Sequence, residues 1–475
     1  MAAPALDFTA LAAELRGEVV LPADPGYDRA VQLQIAEYDA VAPACVAYCA
    51  DEHDVAAGLR FARERGVPMR LRSGGHSFAG WSTTPGLVLD LSEMDHIGPV
   101  GTTVHLGPGV QSVDAMGALW PQGLVVPNGM CPTVAMGGFI TGGGHGPQSR
   151  QHGLACDNLV SARVVLADGT VVRCSEAADP DLFWALRGGG GGNFGAVVDY
   201  EIVPRAIPSA VLFNLVWTAE AAVDVLCAWQ DWVARAPDEL STSVSLVLPD
   251  GAEGVPVTVV LVGTFTGPVR EAEALLADLV ARCGSAPVHR LVLDQTYLDT
   301  MLWFYGGGQA RPAHECHREG FRGGVLPRQQ FQRERNQVFD RPLPEPVVAE
   351  LVREFDAGRE PGQTRFVNLT ALGGQINRVA RGATAYPHRD AHLLAGHVVL
   401  LPEAAPPPAR ELRAAAFAGA GFSLLHPHAA GSYVNFPDPA LTDWRRAYWG
   451  DNHARLAEVK RHYDPDRLFQ LPQGV

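Results

Sequence analysis

Three glycine clusters constrain the fold of this 475-residue chain more than any other feature. They are RSGGHS at 72–77, GGFITGGGHG at 137–146 and GGGGGNFG at 188–195. The last has the spacing G-x-G-x-x-G, but the helical pattern DLFWALR precedes it and the strand-like AVVDYEIVP follows it. A dinucleotide-binding βαβ unit needs the opposite order, because the pyrophosphate binds at the N-terminus of the helix after the glycines. The clusters therefore predict a different fold.

Glycine loops can also bind anions because successive backbone N–H groups without side chains form a concave nest. A nest needs no basic surface, which suits a chain with 37 Lys and Arg against 52 Asp and Glu and a formal net charge of −15. The same charge argues against a nucleic-acid partner. The alternative is that the glycines only form turns. Two clusters are richer in glycine than a turn requires, so we expect backbone wrapped closely around a large ligand.

The chain divides into four segments, since its length exceeds what one hydrophobic core usually fills. Residues 1–38 form a helical lead-in, and 39–206 alternate short strands, short helices and glycine clusters. Longer strands and amphipathic helices occupy 207–430, and 431–475 are rich in aromatic residues. No run is long enough to span a bilayer, and no signal-peptide pattern is evident. With eight scattered cysteines, these features predict a cytoplasmic protein without a membrane partner.

A series of ordered motifs resembles one known family. R-S-G-G-H-S, C-P-T-V-x-x-G-G, T-G-G-G, D-N-L and D-L-F-W-A-L-R-G-G-G-G-G-N-F-G follow one another, and Y-V-N-F-P-D-P, Y-W-G-D-N and D-P-D-R-L-F lie near the C-terminus. The series is similar to that of the berberine-bridge-enzyme-like FAD-linked oxidases of the vanillyl-alcohol-oxidase superfamily. The resemblance implies an α+β fold: a two-subdomain PCMH-type FAD-binding domain, completed by the C-terminal segment, and an α+β substrate domain with an antiparallel sheet.

The resemblance also implies FAD held by two covalent bonds. His76 matches the histidine that bonds the flavin 8α-methyl group, and Cys131 matches the cysteine whose sulfur bonds flavin C6. Both bonds are chemically reasonable, because the electron-poor oxidised ring accepts nucleophiles at these positions. The other flavin contacts that the resemblance implies are Arg72, Ser73, Gly74, Gly75, Ser77, Thr133, Val134, Gly137, Gly138, Gly142, Asn193, Gly195 and Asn435.

Three residues are candidates for the catalytic chemistry. A flavin supplies the hydride acceptor, so the protein must add a base for the proton of the substrate hydroxyl. Tyr433 matches the first tyrosine of the family's Y-x-N-[FY] motif, which implies this role, and the alternative is an aromatic ring packed beside Phe436. Because tyrosine titrates near pH ~10, its pKa must be lowered or its proton must leave through a relay. The segment VNLTALGGQINRVA predicts a strand with Gln375 and Asn377 on one face, where the resemblance implies residues that tune the base.

These observations predict an FAD-dependent oxidase that removes a hydride from an alcohol or activated C–H of a carbohydrate or secondary metabolite, with O2 reoxidising the flavin. Valine at 134 resembles the oxidase pattern at a position that controls the approach of oxygen. One alternative is a flavin dehydrogenase with another electron acceptor. A second alternative, from a different class, is a non-catalytic ligand-binding protein that uses the glycine loops as a cradle.

Two further sets of residues bear on the site. Met301–Tyr305 and Arg311–Arg322 are expected to line the substrate pocket. HECHREG at 314–320 and HRDAH at 388–392 contain candidate metal ligands, but they lack the paired spacing of a structural zinc site, so we expect no metal. Y-P-H-R at 386–389 resembles a family feature with a structural role.

Overall fold

The computed structural model of the chain describes residues 6–475, so the first five residues of the expected helical lead-in lie outside the described part. The strands are β1 (Val19–Val20), β2 (Cys45–Tyr48), β3 (Met69–Arg72), β4 (Leu87–Asp90), β5 (Val104–Leu106), β6 (Leu124–Val125), β7 (Leu159–Val165), β8 (Val171–Ser175), β9 (Ala196–Ile202), β10 (Arg205–Ala206), β11 (Ser209–Thr218), β12 (Leu240–Leu248), β13 (Thr258–Phe265), β14 (His289–Thr296), β15 (Phe331–Phe339), β16 (Thr364–Ala371) and β17 (Leu393–Leu401). The α-helices are α1 (Thr9–Glu14), α2 (Tyr27–Ala30), α3 (Glu52–Arg65), α4 (Ser112–Leu119), α5 (Met136–Thr141), α6 (Ser149–His152), α7 (Pro180–Leu186), α8 (Ala222–Val233), α9 (Val269–Cys283), α10 (Tyr297–Tyr305), α11 (Glu345–Asp356), α12 (Gln375–Arg378), α13 (Pro408–Leu425), α14 (Trp444–Trp449) and α15 (His453–Tyr463).

Two four-stranded sheets hold the glycine clusters in place. The first has the order β1-β2-β4-β3, with β2, β4 and β3 parallel and β1 antiparallel at the edge. The second has the order β5-β9-β7-β8 and is antiparallel. Strand β3 leads directly into RSGGHS, while α7 and β9 flank GGGGGNFG, so the expected order of helix, glycines and strand is confirmed. The N-terminal segment is not wholly helical, because β1 joins the first sheet through β2.

The C-terminal segment packs against the second sheet. Its Tyr448 and Trp449 belong to the same hydrophobic core as Phe183 of α7. The buried Lys460 of α15 donates a hydrogen bond of 2.6 Å to the carbonyl oxygen of Asn193, in the third glycine cluster. The expected fold class, in which this segment completes the two-subdomain unit, is confirmed.

The remaining long strands form a seven-stranded antiparallel sheet with the order β14-β11-β13-β12-β16-β17-β15. Along β12, apolar residues such as Val244 alternate with serines, and the apolar face packs under α8, α9 and α11. Ser241 and Ser243 point to the opposite face because side chains alternate along a strand. The strand pairing places Thr264 of β13 opposite Ser241 and Thr370 of β16 opposite Ser243. This polar face is turned toward the glycine clusters.

A buried ion pair joins the segment before β17 to the turn that precedes β7. Arg389 is only 1% exposed, and its guanidinium donates to both carboxylate oxygens of Asp157 at 2.7 and 2.9 Å and to the Thr384 hydroxyl at 2.6 Å. Bidentate, charge-assisted hydrogen bonds of this kind are among the strongest in proteins. The arginine of Y-P-H-R thus connects two distant parts of the chain.

We expect Arg389→Met to lower the free energy of unfolding by about 3–5 kcal/mol, because the substitution leaves the Asp157 carboxylate buried without its partner. A matched control is Arg378→Met, whose side chain is 60% exposed and pairs with Asp238 at the surface. Exposed pairs contribute at most about 1 kcal/mol, so this control should change little. Urea unfolding followed by circular dichroism measures both variants. Equally small losses in the free energy of unfolding of both variants would show that the buried pair stabilises the fold no more than the surface pair does.

Candidate active site

A cavity of about 450 Å³ lies where the three glycine clusters, the C-terminal segment and the polar face of the large sheet meet. Strands β12, β13 and β16 contribute to its wall together with the loop after β3. The expected site residues in this wall are Ser73, Gly74, Gly75, His76, Ser77, Cys131, Val134, Gly137, Gly138, Asn193, Gly195, Tyr433 and Asn435.

Two glycines of the second cluster are in close contact with side chains from other segments, which a side chain at either glycine would displace. A Cβ atom at Gly137 would collide with the hydroxyl of Ser73, and one at Gly142 would collide with the side-chain amide of Asn435. The second cluster therefore touches both the RSGGHS loop and the C-terminal segment. Gly142 lies behind the wall and supports Asn435, which lies in it.

The loop after β3 presents His76 to the cavity. Its Nε2 lies 2.9 Å from the Thr133 hydroxyl, which leaves Nδ1 without a hydrogen-bond partner among residues 6–475. Burial, with a smaller contribution from Arg318, lowers the pKa of His76 to about 4. The imidazole is therefore neutral at neutral pH and keeps the ring lone pair that a covalent bond to carbon requires. Thr133, which is not part of the described wall, acts on the site by holding this ring.

Cys131 exposes its surface to the same cavity. Desolvation of the sulfur, with a smaller effect from the negative charge of Glu334, raises the pKa of its thiol. The thiolate, which is the nucleophile, forms only when another group takes the proton. Val134 follows three residues later in the same wall, and its carbonyl oxygen accepts a 3.0 Å hydrogen bond from the backbone N–H of Ser112.

The hydroxyl oxygen of Tyr433 receives three N–H groups. The donors are the backbone N–H groups of Gly144 at 2.9 Å and His145 at 3.3 Å, and the side-chain amide of Asn435 at 3.1 Å. Gly143 and Gly144 adopt φ of +123° and +82°, and this turn directs the two backbone donors at the oxygen. Burial raises the pKa of Tyr433 to about 12, although the three donors lower it. Tyr433 is therefore protonated at neutral pH, which favours a relay over a lowered pKa.

The strand predicted for VNLTALGGQINRVA forms only in the first part of the segment, and the prediction is wrong for the rest. β16 ends at Ala371, and Gly373 and Gly374 then adopt φ of +90° and +59°. A Cβ atom at Gly374 would collide with the carbonyl oxygen of Arg150, so the turn also depends on the absence of a side chain there. Paired glycines at positive φ end the strand and send the chain away from the sheet.

Gln375 and Asn377 consequently lie on α12 rather than on one face of a strand. The side-chain amide of Asn377 donates a 2.9 Å hydrogen bond to the Ala391 carbonyl. Neither residue is among the described residues that line the cavity, where β16 contributes Thr370 instead. The geometry therefore gives no support to their role in tuning the base.

Arg72 and the segment 311–322 also lie elsewhere than expected. Arg72 is buried behind the wall, where its guanidinium pairs with Asp90. No residue of Arg311–Arg322 is among those that line the described cavity, so the expectation that this segment lines the pocket is wrong there. His317 of this segment instead lies 3.2 Å from an oxygen of Asp114 on α4. From Met301–Tyr305, Phe304 reaches the cavity.

Several residues of the wall were not expected from the sequence. They are polar side chains of the large sheet, aromatic rings and one histidine: Ser241, Ser243, Thr264, Thr370, Phe78, Trp81, Phe139, Phe436 and His145. The alternating serines of LSTSVSLVL were a usable signal for the sheet residues, because a polar face opposite a core face implies contact with solvent or a ligand.

Two findings concern other classes of site. Within residues 6–475, no helix is long and apolar enough to cross a membrane. In the same range, no three His, Cys, Asp or Glu side chains are grouped to hold a metal ion. His388, one of the candidate ligands, places its Nε2 2.9 Å from the Ser432 carbonyl oxygen beside Tyr433.

Comparison with known proteins agrees with this geometry. The family model for an FAD binding domain matches residues 43–175, and the model described as berberine and berberine like matches residues 432–475. Berberine bridge enzyme-like 12 of Arabidopsis thaliana is 30% identical over 461 residues, covering 90% of this chain and 83% of the relative. The FAD-linked oxidoreductase YgaK of Bacillus subtilis is 30% identical over 472 residues, covering 97% of both chains. The chain belongs to the berberine-bridge-enzyme-like FAD-linked oxidoreductases.

Solved structures of this family share the fold along the whole chain. BBE-like 1 of Physcomitrella patens superposes with a TM-score of 0.89 at 21% identity, covering 99% of both chains. Berberine bridge enzyme of Eschscholzia californica superposes with a TM-score of 0.86 at 22% identity, covering 98% of both chains. As a member of the family, the protein is an FAD-dependent oxidoreductase that acts on small molecules.

The cavity of this berberine-bridge-enzyme-like protein fits FAD. Its wall brings three glycine clusters together, and a Cβ atom at Gly138 or Gly192 would meet no protein atom within 4 Å, so the backbone there leaves open space for the close approach of a ligand. No carboxylate is among the described lining residues, so a diphosphate meets no repulsion there despite the net charge of −15. A neutral imidazole and a thiol, the two nucleophiles that flavin attachment requires, lie in the same wall.

Proposed function

We propose that this enzyme is an oxidase that removes a hydride from an alcohol carbon, or a related activated C–H, of a carbohydrate or secondary metabolite. Bound FAD would supply the hydride acceptor, and O2 would then reoxidise it and form H2O2. The observation that carries the proposal is the Tyr433 oxygen, which lies in the cavity wall under three N–H donors. Donors aimed at one oxygen stabilise the negative charge that develops there as a proton is transferred. Tyr433 thus accepts the proton of the substrate hydroxyl.

We also propose that His76 and Cys131 attach the flavin covalently. The support for His76 is its Nδ1, which has no hydrogen-bond partner among the described residues while Thr133 holds Nε2. The support for Cys131 is a thiol that faces the cavity, whereas Cys156 and other cysteines are buried elsewhere. Asn435, which is fixed by a 3.0 Å hydrogen bond to the Phe139 carbonyl, completes the contacts on the tail side.

The substrate that suits this wall is uncharged and carries hydroxyl groups. Arg70 of β3, two residues before the first glycine cluster, is the one charged side chain among the residues that line the described cavity, and the large sheet contributes hydroxyl side chains. Phe78 and Phe436 stack at a centroid distance of 5.0 Å, which provides an apolar platform for a ring. The family includes a chitooligosaccharide oxidase of Gibberella zeae, 28% identical over 465 residues and covering 91% of this chain and 87% of the relative. That relative supports a carbohydrate for this enzyme.

The test is a panel of cellobiose, lactose, diacetylchitobiose and benzyl alcohol, with oxygen uptake and H2O2 release measured together. We expect one class of alcohol to give equal oxygen uptake and peroxide release. Reduction of a dye without oxygen uptake would replace the oxidase with a dehydrogenase. A colourless protein that binds a sugar without turnover would replace the enzyme with a ligand-binding protein.

We expect Val134→Leu to slow reoxidation of the reduced flavin by about ten- to hundred-fold. Leucine at 134 places one more methylene in the cavity that oxygen must enter, and an added barrier of about 1.4–2.8 kcal/mol corresponds to about ten- to hundred-fold in rate. Reduction by substrate under anaerobic conditions should remain nearly unchanged, because only the approach of oxygen is obstructed. Val262→Leu, which adds the same volume to the wall from β13, is the matched control. Equal slowing of both half-reactions in stopped flow would mean that Val134 is only a packing residue.

A further inference from the structure

Strand β14 is an open edge of the seven-stranded sheet. It pairs with β11 on one side, and no strand or loop among residues 6–475 pairs with its other side. At the opposite edge, most of β15 is buried, and the loop at Gly431 pairs with Val338 near the end of that strand. An uncovered edge strand presents backbone N–H and C=O groups that another chain can bind.

The β14 edge also carries apolar side chains in contact with solvent. Leu293 is 37% exposed, and Val288, directly before the strand, is 68% exposed. Proteins commonly protect an edge strand with proline, a β-bulge or charged side chains. β14 has no proline and pairs with β11 without a register shift, so its charged residues decide whether a further strand can bind.

The sequence of β14 is complementary to itself in the antiparallel direction. Arg290 and Asp294 lie two residues to either side of Val292, with Leu291 and Leu293 between them. If two copies pair with Val292 opposite itself, each Arg290 faces Asp294 of the other copy, and each Leu291 faces Leu293. Directly opposed residues of an antiparallel pair lie on the same face of the sheet, where opposite charges and apolar pairs are stabilising.

The neighbouring registers lack this complementarity. Pairing about Leu291 places His289 opposite Leu293, and pairing about Leu293 places Val292 opposite Asp294. In both cases a polar side chain faces an apolar one, and no charge faces an opposite charge. The charges on β14 therefore select one partner register and do not close the edge.

We propose that β14 binds β14 of a second copy of the chain, antiparallel, about a two-fold axis at Val292. The two seven-stranded sheets then form one continuous sheet across the dimer. Asp294 forms no ion pair among residues 6–475, whereas Arg290 contacts Glu273 of α9 at the surface, so the dimer gives the exposed carboxylate a partner. A single pair of strands is a small interface, and we therefore expect a dimer that dissociates on dilution. β14 contributes nothing to the described cavity wall, so the inference does not depend on the proposed function.

The first experiment is sedimentation equilibrium of the purified holoenzyme over a series of concentrations. The mass should rise from that of one chain toward that of two. Asp294→Arg and Arg290→Asp each place like charges opposite one another at two points, and each should raise the dissociation constant by about tenfold or more. Glu64→Arg, on the exposed surface of α3, makes the same change in net charge as Asp294→Arg and should leave the dimer intact.

Mixing the two variants tests the pairing itself. In a mixed dimer of Asp294→Arg and Arg290→Asp, each arginine again faces an aspartate, so the mixture should dimerise as the unaltered protein does. A single-chain mass for the unaltered protein at every concentration overturns the proposal. It is also overturned if both variants dimerise normally, or if their mixture stays monomeric.

Crosslinking tests the register without changing any charge. The Cα atoms of opposed residues lie about 5 Å apart, so a short bis-maleimide should join two copies of Val292→Cys. Val288→Cys is the matched control, because its two copies would lie eight residues apart along the paired strands, about 26 Å. A non-reducing gel should show a double-chain band, above the level of the unaltered protein, for Val292→Cys alone. Equal crosslinking of both variants, or none in Val292→Cys, overturns the proposed pairing.

Discussion

Tyr433→Phe is expected to lower the rate of flavin reduction by substrate by about 10²- to 10⁴-fold, the range for loss of general-base assistance. The substitution removes the oxygen on which Gly144, His145 and Asn435 converge, but keeps the ring that packs against Phe436 with centroids 5.2 Å apart. Fold and flavin content should therefore be unchanged. Anaerobic stopped flow with a substrate of the panel measures the effect.

A matched control removes a neighbouring hydroxyl instead. The Tyr386 ring lies with its centroid 6.2 Å from that of Tyr433, and Tyr386 is buried outside the described cavity wall. Tyr386→Phe should reduce the flavin at nearly the normal rate. A Tyr433→Phe enzyme as fast as this control would remove Tyr433 from the chemistry and leave it as a packed aromatic.

The second large effect concerns flavin retention. His76→Ala and Cys131→Ala should each keep the flavin bound through acid precipitation, because one covalent bond remains in each variant. The double variant should release all of its FAD into the acid supernatant, since only non-covalent contacts hold it and these are lost on denaturation. Absorbance of pellet and supernatant near 450 nm measures the distribution.

The control for this experiment is Cys227→Ala, a half-buried cysteine on α8 remote from the cavity wall. It should behave like the unaltered protein. Free FAD in the supernatant of the unaltered protein would contradict covalent attachment, and full retention in the double variant would place the attachment at other residues.

Local patterns in the sequence were sufficient for much of the fold. Helix α9 spans Val269–Cys283, as its amphipathic period and the glycine after it indicate. The hairpin of β7 and β8 turns at Gly169, which has φ of +89°. In both cases the interactions that determine the element join residues close together in the sequence. The periodicity and the turn residues are therefore sufficient to predict it.

The residues whose positions the sequence did not predict are placed by contacts between distant parts of the chain. Arg322 pairs with Asp114 of α4, and segment 311–322 lies outside the described cavity wall although it is rich in polar side chains. Short-range alternation shows that LSTSVSLVL has a polar face, but only the packing of α8 and α9 on the other face shows that the polar face meets the glycine clusters. A pattern with period two gives two faces and does not say what covers each of them.

The position of His145 shows the same limit at the site. Its place in a run of glycines indicates a turn, and a histidine in a turn is usually solvated. The positive φ of Gly143 and Gly144 and the position of Tyr433, nearly 300 residues later in the sequence, together place it in the cavity. Contacts across that separation leave no trace in a local pattern.

The most direct test of the account is mass spectrometry of a proteolytic digest of the purified protein. We propose that one FAD lies between the loop after β3 and the loop before α5 and is bonded to both. We therefore expect one species that joins the peptide of His76 to the peptide of Cys131 and carries the mass of a single FAD, with fragments that locate the bonds at these two side chains. Recovery of both peptides unmodified from yellow protein would contradict the account.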